Sequence, residues 1–340
     1  MLIELFKGFF MNENLILFGG VKIGALHVKN GTVCQDVVCL KTNANSNVIF
    51  SDKSISAFKL NCFNNYSFKN LSFKKNIKNQ IKKNIKNQKN KRISDLFINN
   101  KNEKFAAIAL CDGAGSAANS QLGAKISTQN ICEILKNNFT NIYKNNFDKT
   151  KILNMVLEEL KKVADENNIE LKSLASTLLF AVIKNKKFIC GHIGDGVIGI
   201  FGDFKLNNAE INDIKDDINN VDVNKKIKLL SAPQNGQYAN ETTFTTSINA
   251  KENFRIYCGE FITSAQDEND KNFRGFVLMS DGSAESLFSK NKLEFASALE
   301  RILNINFTFR IADLFTKSLL EKVSTKTGDD CSLAVIKMLS

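Results

Sequence analysis

Short apolar runs rich in β-branched or aromatic residues recur along the chain, separated by longer segments in which apolar residues recur every three or four positions. The short runs predict strands, because such side chains suit the pleated surface of a sheet. The predicted strands are residues 21–28, 36–40, 105–111, 177–183, 187–193, 197–201, 254–258, 275–280 and 331–338. The longer segments have helical periodicity. The predicted helices are residues 120–139, 151–164, 292–303 and 310–323.

Turn residues separate several successive strands. The clearest case is residues 184–203, KNKKFICGHIGDGVIGIFGD, in which apolar runs alternate with Asn, Lys, Gly and Asp. This pattern favours antiparallel meanders over a strictly alternating parallel sheet. We therefore expect an α+β fold with antiparallel sheets inside and helices outside. The chain contains neither a GxxxxGK[ST] nor a GxGxxG pattern, so no nucleotide-binding turn is predicted.

The net charge of +11 is concentrated in one segment. Residues 69–92 carry nine lysines and one arginine but no acid, whereas the other 36 basic residues nearly balance the 35 acidic ones. We interpret residues 43–103, which are rich in Asn, Lys and Ser, as a flexible, solvated insertion. Isoleucines at every fourth position within it also fit a basic helix that contacts an anionic surface. It has no aromatic platform or reader fold, so no specific nucleic acid is expected.

The spacing of the cysteines and the N-terminal sequence indicate the cellular compartment that we expect. The eight cysteines form no CxxC pair, and a chain of this size does not need disulfides, so we expect reduced, mostly buried thiols. The apolar N-terminal stretch is interrupted by Glu4, Lys7 and Glu13 before it reaches membrane-spanning length. We therefore expect a cytoplasmic protein without a transmembrane segment.

Aspartates stand directly beside five predicted strands. Three follow an apolar run and precede glycine, and two precede an apolar run; they are Asp112, Asp195 and Asp281, and Asp36 and Asp329. A single Asp-Gly is usually only a turn. Several half-buried carboxylates without basic partners, however, are costly unless a divalent cation binds them. Mg²⁺ and Mn²⁺ prefer such oxygen ligands, whereas two histidines and unspaced cysteines argue against structural zinc.

Five blocks, in order, resemble the metal-dependent PPM-type protein phosphatases (protein phosphatase type 2C), particularly their bacterial branch. The blocks are GALHVKNGTVCQD (24–36), IALCDGAGSAANSQLGAKIS (108–127), STLLFAVIKNKKFICGHIGDGVIGIF (176–201), FVLMSDGSAES (276–286) and TGDDCSLAVIKM (327–338). The resemblance spans about residues 20–338, interrupted by the basic insertion. It implies one phosphatase-like catalytic domain over residues 1–340, built as an α-β-β-α sandwich with two central antiparallel sheets flanked by helices.

The resemblance also implies a reaction and its residues. The protein would be a serine/threonine phosphoprotein phosphatase that hydrolyses phosphomonoesters with water activated between two Mn²⁺ or Mg²⁺ ions. The implied ligands are Asp36, Asp112, the Gly113 carbonyl, Asp281 and Asp329, with Asp195, Asp281 and Glu285 at a weaker third site. Asp36, Asp112 and His27 are the candidate catalytic residues, and Asp330 is expected just behind the ligands. The implied partners are a phosphorylated Ser/Thr protein in a signalling pathway and a cognate Ser/Thr kinase.

Several positions leave alternatives open. Ala114 stands where eukaryotic members have a His that protonates the leaving alkoxide, so a metal-bound water would supply that proton at a lower rate. His27 replaces the phosphate-binding Arg and is either a phosphate ligand or a packed strand-edge histidine, whereas we expect His192 to be a satisfied core histidine. The polar stretch 236–247 either edges the active site or forms a hairpin. The alternative function is a catalytically silent pseudophosphatase that binds a phosphoprotein or kinase.

Overall fold

The computed structural model describes residues 10–12, 15–42, 47–51, 105–144, 148–207, 226–234, 242–262, 273–304 and 309–338. The strands in these residues are β1 (Phe10–Asn12), β2 (Leu15–Lys22), β3 (Val37–Thr42), β4 (Asn47–Phe50), β5 (Phe105–Cys111), β6 (Leu178–Lys184), β7 (Lys187–Ile193), β8 (Val197–Phe201), β9 (Phe204–Leu206), β10 (Ile227–Ser231), β11 (Arg255–Phe261), β12 (Arg274–Met279), β13 (Phe288–Ser289), β14 (Glu294–Phe295) and β15 (Cys331–Met338). The helices are α1 (Ala25–Asn30), α2 (Ser120–Lys144), α3 (Lys149–Asn167), α4 (Ala250–Asn253), α5 (Asp281–Leu287), α6 (Ser297–Asn304) and α7 (Phe309–Ser324).

Two antiparallel sheets form the centre of the molecule. The first has the strand order β1-β2-β15-β12-β8-β10, and the second has the order β4-β3-β5-β6-β7-β11-β9. Strands β13 and β14 form a separate small hairpin. The predicted antiparallel α+β architecture is therefore confirmed.

Alternating side chains on the strands divide the core into layers. Val38 and Leu40 of β3 belong to an apolar cluster that also contains Ala334 and Ile336 of β15, so this cluster fills the space between the two sheets. The other face of β3 packs against α2 and α3, and the other face of β15 packs against α5 and α7. The result is the predicted α-β-β-α sandwich.

The first predicted strand was wrong in position. Residues 21–28 do not form one strand: β2 ends at Lys22, and α1 follows from Ala25. The chain leaves the sheet at Gly24, whose amide donates to the Asp330 carboxylate over 2.8 Å. A side chain at Gly24 would overlap the Asp329 backbone, so this close approach requires glycine.

One predicted hairpin is also absent. Strands β6 and β7 pair as expected, but β7 and β8 belong to different sheets. The turn Gly194–Gly196 carries the chain from one sheet to the other, and Gly194 has φ of +118°. Asp195 therefore stands at the edge shared by both sheets.

The predicted insertion lies mostly outside the described residues, as does its basic part, 69–92. Within it, Asn47–Phe50 forms β4, which pairs with β3. The seven cysteines in the described part of the chain are all free and buried, as expected. No helix among the described residues is long and apolar enough to cross a membrane.

Candidate metal centre

The predicted aspartates meet at one end of the sandwich because each lies at the end of a central strand. Val37 pairs with Cys111, so Asp36 before β3 and Asp112 after β5 are neighbours. In the other sheet, the antiparallel pairing of β12 with β15 brings Asp281 and Asp329 to the same end. The turn after β7 adds Asp195 from between the sheets.

Three of these carboxylates converge closely. Oxygens of Asp112, Asp195 and Asp281 all lie within 4.8 Å of one another. A spacing of this size suits shared coordination of a cation, since carboxylate oxygens bind Ca²⁺ or Mg²⁺ at about 2.0–2.6 Å. Asp195 was predicted for a third site with Asp281 and Glu285; the exposed Glu285 is not part of this converging group.

Backbone contacts hold Asp112 and Gly113 in place. The Thr177 amide donates to the Asp112 carbonyl over 2.8 Å, and the Asp112 amide donates to the Thr177 hydroxyl over 2.9 Å. Gly113 forms a bridge with Ser176, and a Cβ at this position would lie 2.9 Å from Ser120 at the start of α2. The sequence therefore needs glycine after Asp112 for packing as well as for the turn.

Asp36 is fully buried. Neither of its carboxylate oxygens makes a well-formed hydrogen bond within the described part of the chain. Burial raises the pKa of this carboxyl well above its usual value, and the charge of Asp330 adds to the effect; the nearby Ser332 and Ser280 hydroxyls oppose it. A buried carboxyl group without well-formed hydrogen bonds is stable in its ionised form only beside a positive charge.

The other carboxylates repel one another in the same way. Burial raises the pKa of Asp281 to about 7, with further increases from the charges of Asp195 and Asp329. Burial, followed by the charges of its four neighbouring aspartates, raises the pKa of Asp112 well above its usual value. Burial also raises the pKa of Asp329. Ionising the group as a whole is therefore costly unless a positive charge lies beside it.

The donor set fits a divalent cation. The centre offers several carboxylate oxygens, and no lysine or arginine of the described residues forms an ion pair with them. Asp36 adds an orphaned buried carboxylate. Oxygen-only sites of this kind suit Mg²⁺ and Mn²⁺.

Asp330 organises the segment next to the centre. It is buried, and its two oxygens accept hydrogen bonds from the Gly24 amide (2.8 Å) and the Gln35 amide (2.7 Å). His27 Nδ1 lies 2.9 Å from Asp330 Oδ1, and His27 Nε2 lies 3.9 Å from Asp329 Oδ1. His27 stands on α1, so the alternative of a strand-edge histidine was wrong; its role toward phosphate stays a prediction.

Sequence reasoning left the role of residues 236–247 open. Residues 236–241 lie outside the described residues, but the Thr242 hydroxyl donates a hydrogen bond to Asp195 Oδ2. The Gln234 amide also donates to the Gly194 carbonyl over 3.0 Å. Part of this stretch therefore edges the centre and orients Asp195, a role that its polar composition alone could not assign.

His192 is a core histidine, as expected, but it is only half satisfied, because its buried Nε2 has no well-formed hydrogen bond in the described part of the chain. It is fully buried, and its Nδ1 lies 2.8 Å from both Ser231 Oγ and an Arg255 guanidinium nitrogen. Burial lowers the pKa of His192 well below its usual value, and the adjacent Arg255 charge lowers it further. Because Arg255 donates to Nδ1, the neutral ring carries its proton on Nε2.

The family model "Protein phosphatase 2C" matches residues 78–311, more than half of the chain. The match includes Asp112, Asp195 and Asp281, and Asp36 and Asp329 flank it. A sequence search of curated proteins found no match.

Similar solved structures have low identity. Serine/threonine phosphatase Stp1 from Staphylococcus aureus is 15% identical, covers 70% of this chain and 84% of its own, and has a TM-score of 0.42. PppA of Pseudomonas aeruginosa is 14% identical, with coverages of 68% and 86% and a TM-score of 0.43. RsbX in complex with magnesium is 11% identical, with coverages of 98% and 100% and a TM-score of 0.41. On the extent of the sequence match, the chain belongs to the protein phosphatase 2C family of serine/threonine phosphatases.

Proposed function

We propose that the protein is an active phosphatase that uses Mn²⁺ or Mg²⁺ to remove phosphate from serine and threonine residues of a phosphoprotein. The observation that carries this proposal is the convergence of Asp112, Asp195 and Asp281 beside the fully buried, unpartnered Asp36. Without a bound cation this arrangement only lowers the stability of the folded protein, because each charge there is destabilising.

Asp36, Asp112, Asp281 and Asp329 would hold two ions, together with the Gly113 carbonyl, and Asp195 would contribute to a further site. Ions bound there would supply a water nucleophile of lowered pKa and would neutralise charge on the phosphoryl group. Thr177 holds the Asp112 backbone and Thr242 holds the Asp195 carboxylate, so both aspartates are positioned before an ion binds. His27 Nε2 is the nitrogen of that ring that faces away from Asp330 and is the one we propose for contact with phosphate.

Two residues near Asp112, Cys111 and Ala114, supply neither an alternative nucleophile nor an acid. Cys111 is fully buried, and burial raises the pKa of its thiol well above the usual value, so it stays protonated and unreactive at neutral pH. Ala114 cannot donate a proton to the leaving alkoxide. We therefore propose single-step hydrolysis without a phosphoenzyme. The free, buried cysteines fit a reducing compartment, and we propose that the enzyme acts in the cytoplasm, opposite a Ser/Thr kinase.

The test measures hydrolysis of p-nitrophenyl phosphate and of a phosphothreonine peptide in Mn²⁺ or in EDTA. Wild type should turn over both substrates only with metal, and Asp112→Ala and Asp281→Ala should each lose about a hundredfold or more. Asp203→Ala is the matched control, because Asp203 is an exposed aspartate beyond the opposite end of β8. Circular dichroism would establish that every variant is folded.

A pseudophosphatase is the alternative, because neither Ala114 nor His27 Nδ1, which lies against Asp330, can protonate a leaving alkoxide. Folded wild-type protein that binds Mn²⁺ yet hydrolyses neither substrate would support this alternative. Metal-dependent turnover that disappears in both aspartate variants would exclude it.

A further inference from the structure

Helix α1 has apolar side chains that contribute nothing to the core. None of its six residues is buried, yet Leu26 and Val28 are 55% and 61% exposed, and Val33 just after the helix is 41% exposed. These three are half of the six large hydrophobic side chains that are exposed in the described part of the chain. Leu26 packs on a neighbour, Gly328. Apolar residues concentrated within eight positions and outside the core indicate a surface that another molecule covers.

The contacts of α1 place these side chains beside the metal centre. The Leu26 amide donates to the Gly328 carbonyl over 3.1 Å, next to Asp329. His27 faces the carboxylates of Asp329 and Asp330. Successive helical residues are rotated by about 100°, so Leu26 and Val28 project on either side of His27.

Val33 completes the same border. It lies two residues before Gln35, whose amide donates to Asp330 Oδ2 over 2.7 Å. We call Leu26, Val28 and Val33 the α1 rim. Leu26 and Val28 are thus adjacent in sequence to His27, and Val33 lies two residues before Gln35; both His27 and Gln35 contact Asp330.

A polypeptide that brings a phosphorylated side chain to this centre has to pass over its border. Neighbouring residues of an extended peptide lie about 3.3–3.6 Å apart along the chain, so the one or two residues flanking the phosphorylated position fall within reach of α1. The occupant of the α1 rim is therefore the substrate itself, and the chemistry of the rim is apolar.

We propose that the α1 rim selects phosphoproteins in which the residues next to the phosphoserine or phosphothreonine are apolar. This proposal rests on the proposed phosphatase function and adds a substrate class to it. Burying part of two or three aliphatic side chains against such residues gives a preference of roughly tenfold in KM over polar flanks.

The experiment compares phosphothreonine peptides that differ only in having Leu-Val or Ser-Ser on either the N- or the C-terminal side of the phosphothreonine. Wild type should favour Leu-Val on one side by roughly tenfold in kcat/KM, and the double variant Val28→Ser/Val33→Ser should reduce that preference to about twofold or less. Leu26 stays unchanged, because it covers Gly328 beside Asp329. The matched control is Ile262→Ser, since Ile262 is 45% exposed and follows β11 at the end far from the metal centre.

Two further measurements separate this proposal from the phosphatase function. Turnover of p-nitrophenyl phosphate, which has no flanking residues, should be equal in wild type, the double variant and the control; absence of turnover in wild type would contradict the phosphatase function alone. Fluorescence anisotropy of labelled peptides measures their affinity for the protein independently of turnover. Equal affinity of wild type for Leu-Val and Ser-Ser peptides on both sides, or a preference that survives the double variant, would overturn the proposal.

Discussion

A few buried carboxylates affect the pH dependence of this protein's stability more than its net charge does. Asp36, Asp112 and Asp281 are held in the folded state where burial and mutual repulsion favour their protonated forms. A cation that stabilises their ionised forms has to come from solution. The protein without metal should therefore respond to pH in a characteristic way.

The first prediction concerns the metal-free protein. Folded Asp281 keeps its proton up to about pH 7, whereas an aspartate in the unfolded chain loses it near pH 4. The folded state binds more protons between these values, so the free energy of unfolding falls as pH rises through this range, by up to about 4 kcal/mol from this group. Urea unfolding in EDTA at a series of pH values measures this change in the free energy of unfolding.

Asp281→Asn removes that titration, so the variant should be more stable than wild type in EDTA near neutral pH and should show a flatter pH dependence. Asp203→Asn, a change of the same chemistry at an exposed turn, should leave the wild-type slope. A wild-type protein that becomes steadily more stable between about pH 4 and 7 in EDTA would contradict the assignment.

At the scale of elements, polar contacts between the sheets and close packing between helices position the centre. Ser231 of β10 lies 2.8 Å from His192 Nδ1 of β7 and 3.0 Å from the Tyr257 hydroxyl of β11. This hydroxyl therefore joins the two sheets just before the segment whose Gln234 amide holds Gly194.

The second prediction follows from that contact. Ser231→Ala leaves two buried polar groups without this partner, and we expect a loss of about 1–3 kcal/mol in the free energy of unfolding. Chemical denaturation measures it. Ser289→Ala, at an exposed position of β13, should change stability by less than about 0.5 kcal/mol. Equal effects of the two substitutions would mean that the contact between the sheets contributes nothing.

The third prediction concerns Gly123, where helix propensity and packing have opposite effects on stability. Ala is a better helix former than Gly by about 1 kcal/mol, so Gly123 within α2 looks improvable from sequence. A Cβ there would overlap the Leu174 carbonyl, and overpacking costs about 1–3 kcal/mol. Gly123→Ala should therefore lower the melting temperature. Gly115→Ala is the control, because the nearest atom to its Cβ would be Gln35 Oε1 at 3.8 Å.

At the scale of the whole molecule, the part of the predicted insertion that follows β4 connects two strands that flank β3, namely β4 and β5. Phe50 of β4 pairs with Val38, and Ala106 of β5 pairs with Thr42. The strand ends are thus two strand spacings apart, about 10 Å, and offset by about 13 Å along β3. A short linker can span this separation.

The fourth prediction replaces residues 53–103 by an eight-residue Gly/Ser linker, which reaches about 26 Å when extended. The shortened protein should fold, melt within a few degrees of wild type and keep its metal-dependent hydrolysis of p-nitrophenyl phosphate. It should lose salt-sensitive binding to heparin or anionic vesicles, because residues 69–92 hold the excess charge. A shortened protein that is insoluble or unfolded would show that the segment belongs to the core domain.

The sequence by itself determined most of the central strands, the four main helices and the aspartates at strand ends. The helix predicted over residues 292–303 begins only at Ser297, because Glu294–Phe295 form β14. Apolar periodicity reports which face of an element is buried, and Asp-Gly after an apolar run reports a strand that ends in a turn. These signals are local, so Asp112 and Asp281 were identifiable without a structure. The resemblance then supplied the fold and the expected ligands.

Only the tertiary structure decided the contacts between distant segments. Gly24 and Asp330 are 306 positions apart, and their hydrogen bond exists because β2 pairs with β15; the same contact ends β2 and starts α1, where the sequence predicted one strand. The crossing at Asp195, the support from Thr242 and the position of His27 likewise depend on how the two sheets stack. Hydrophobic periodicity contains no information on which strands pair, because any apolar strand can pair with any other until turns, glycines and buried polar groups exclude the alternatives.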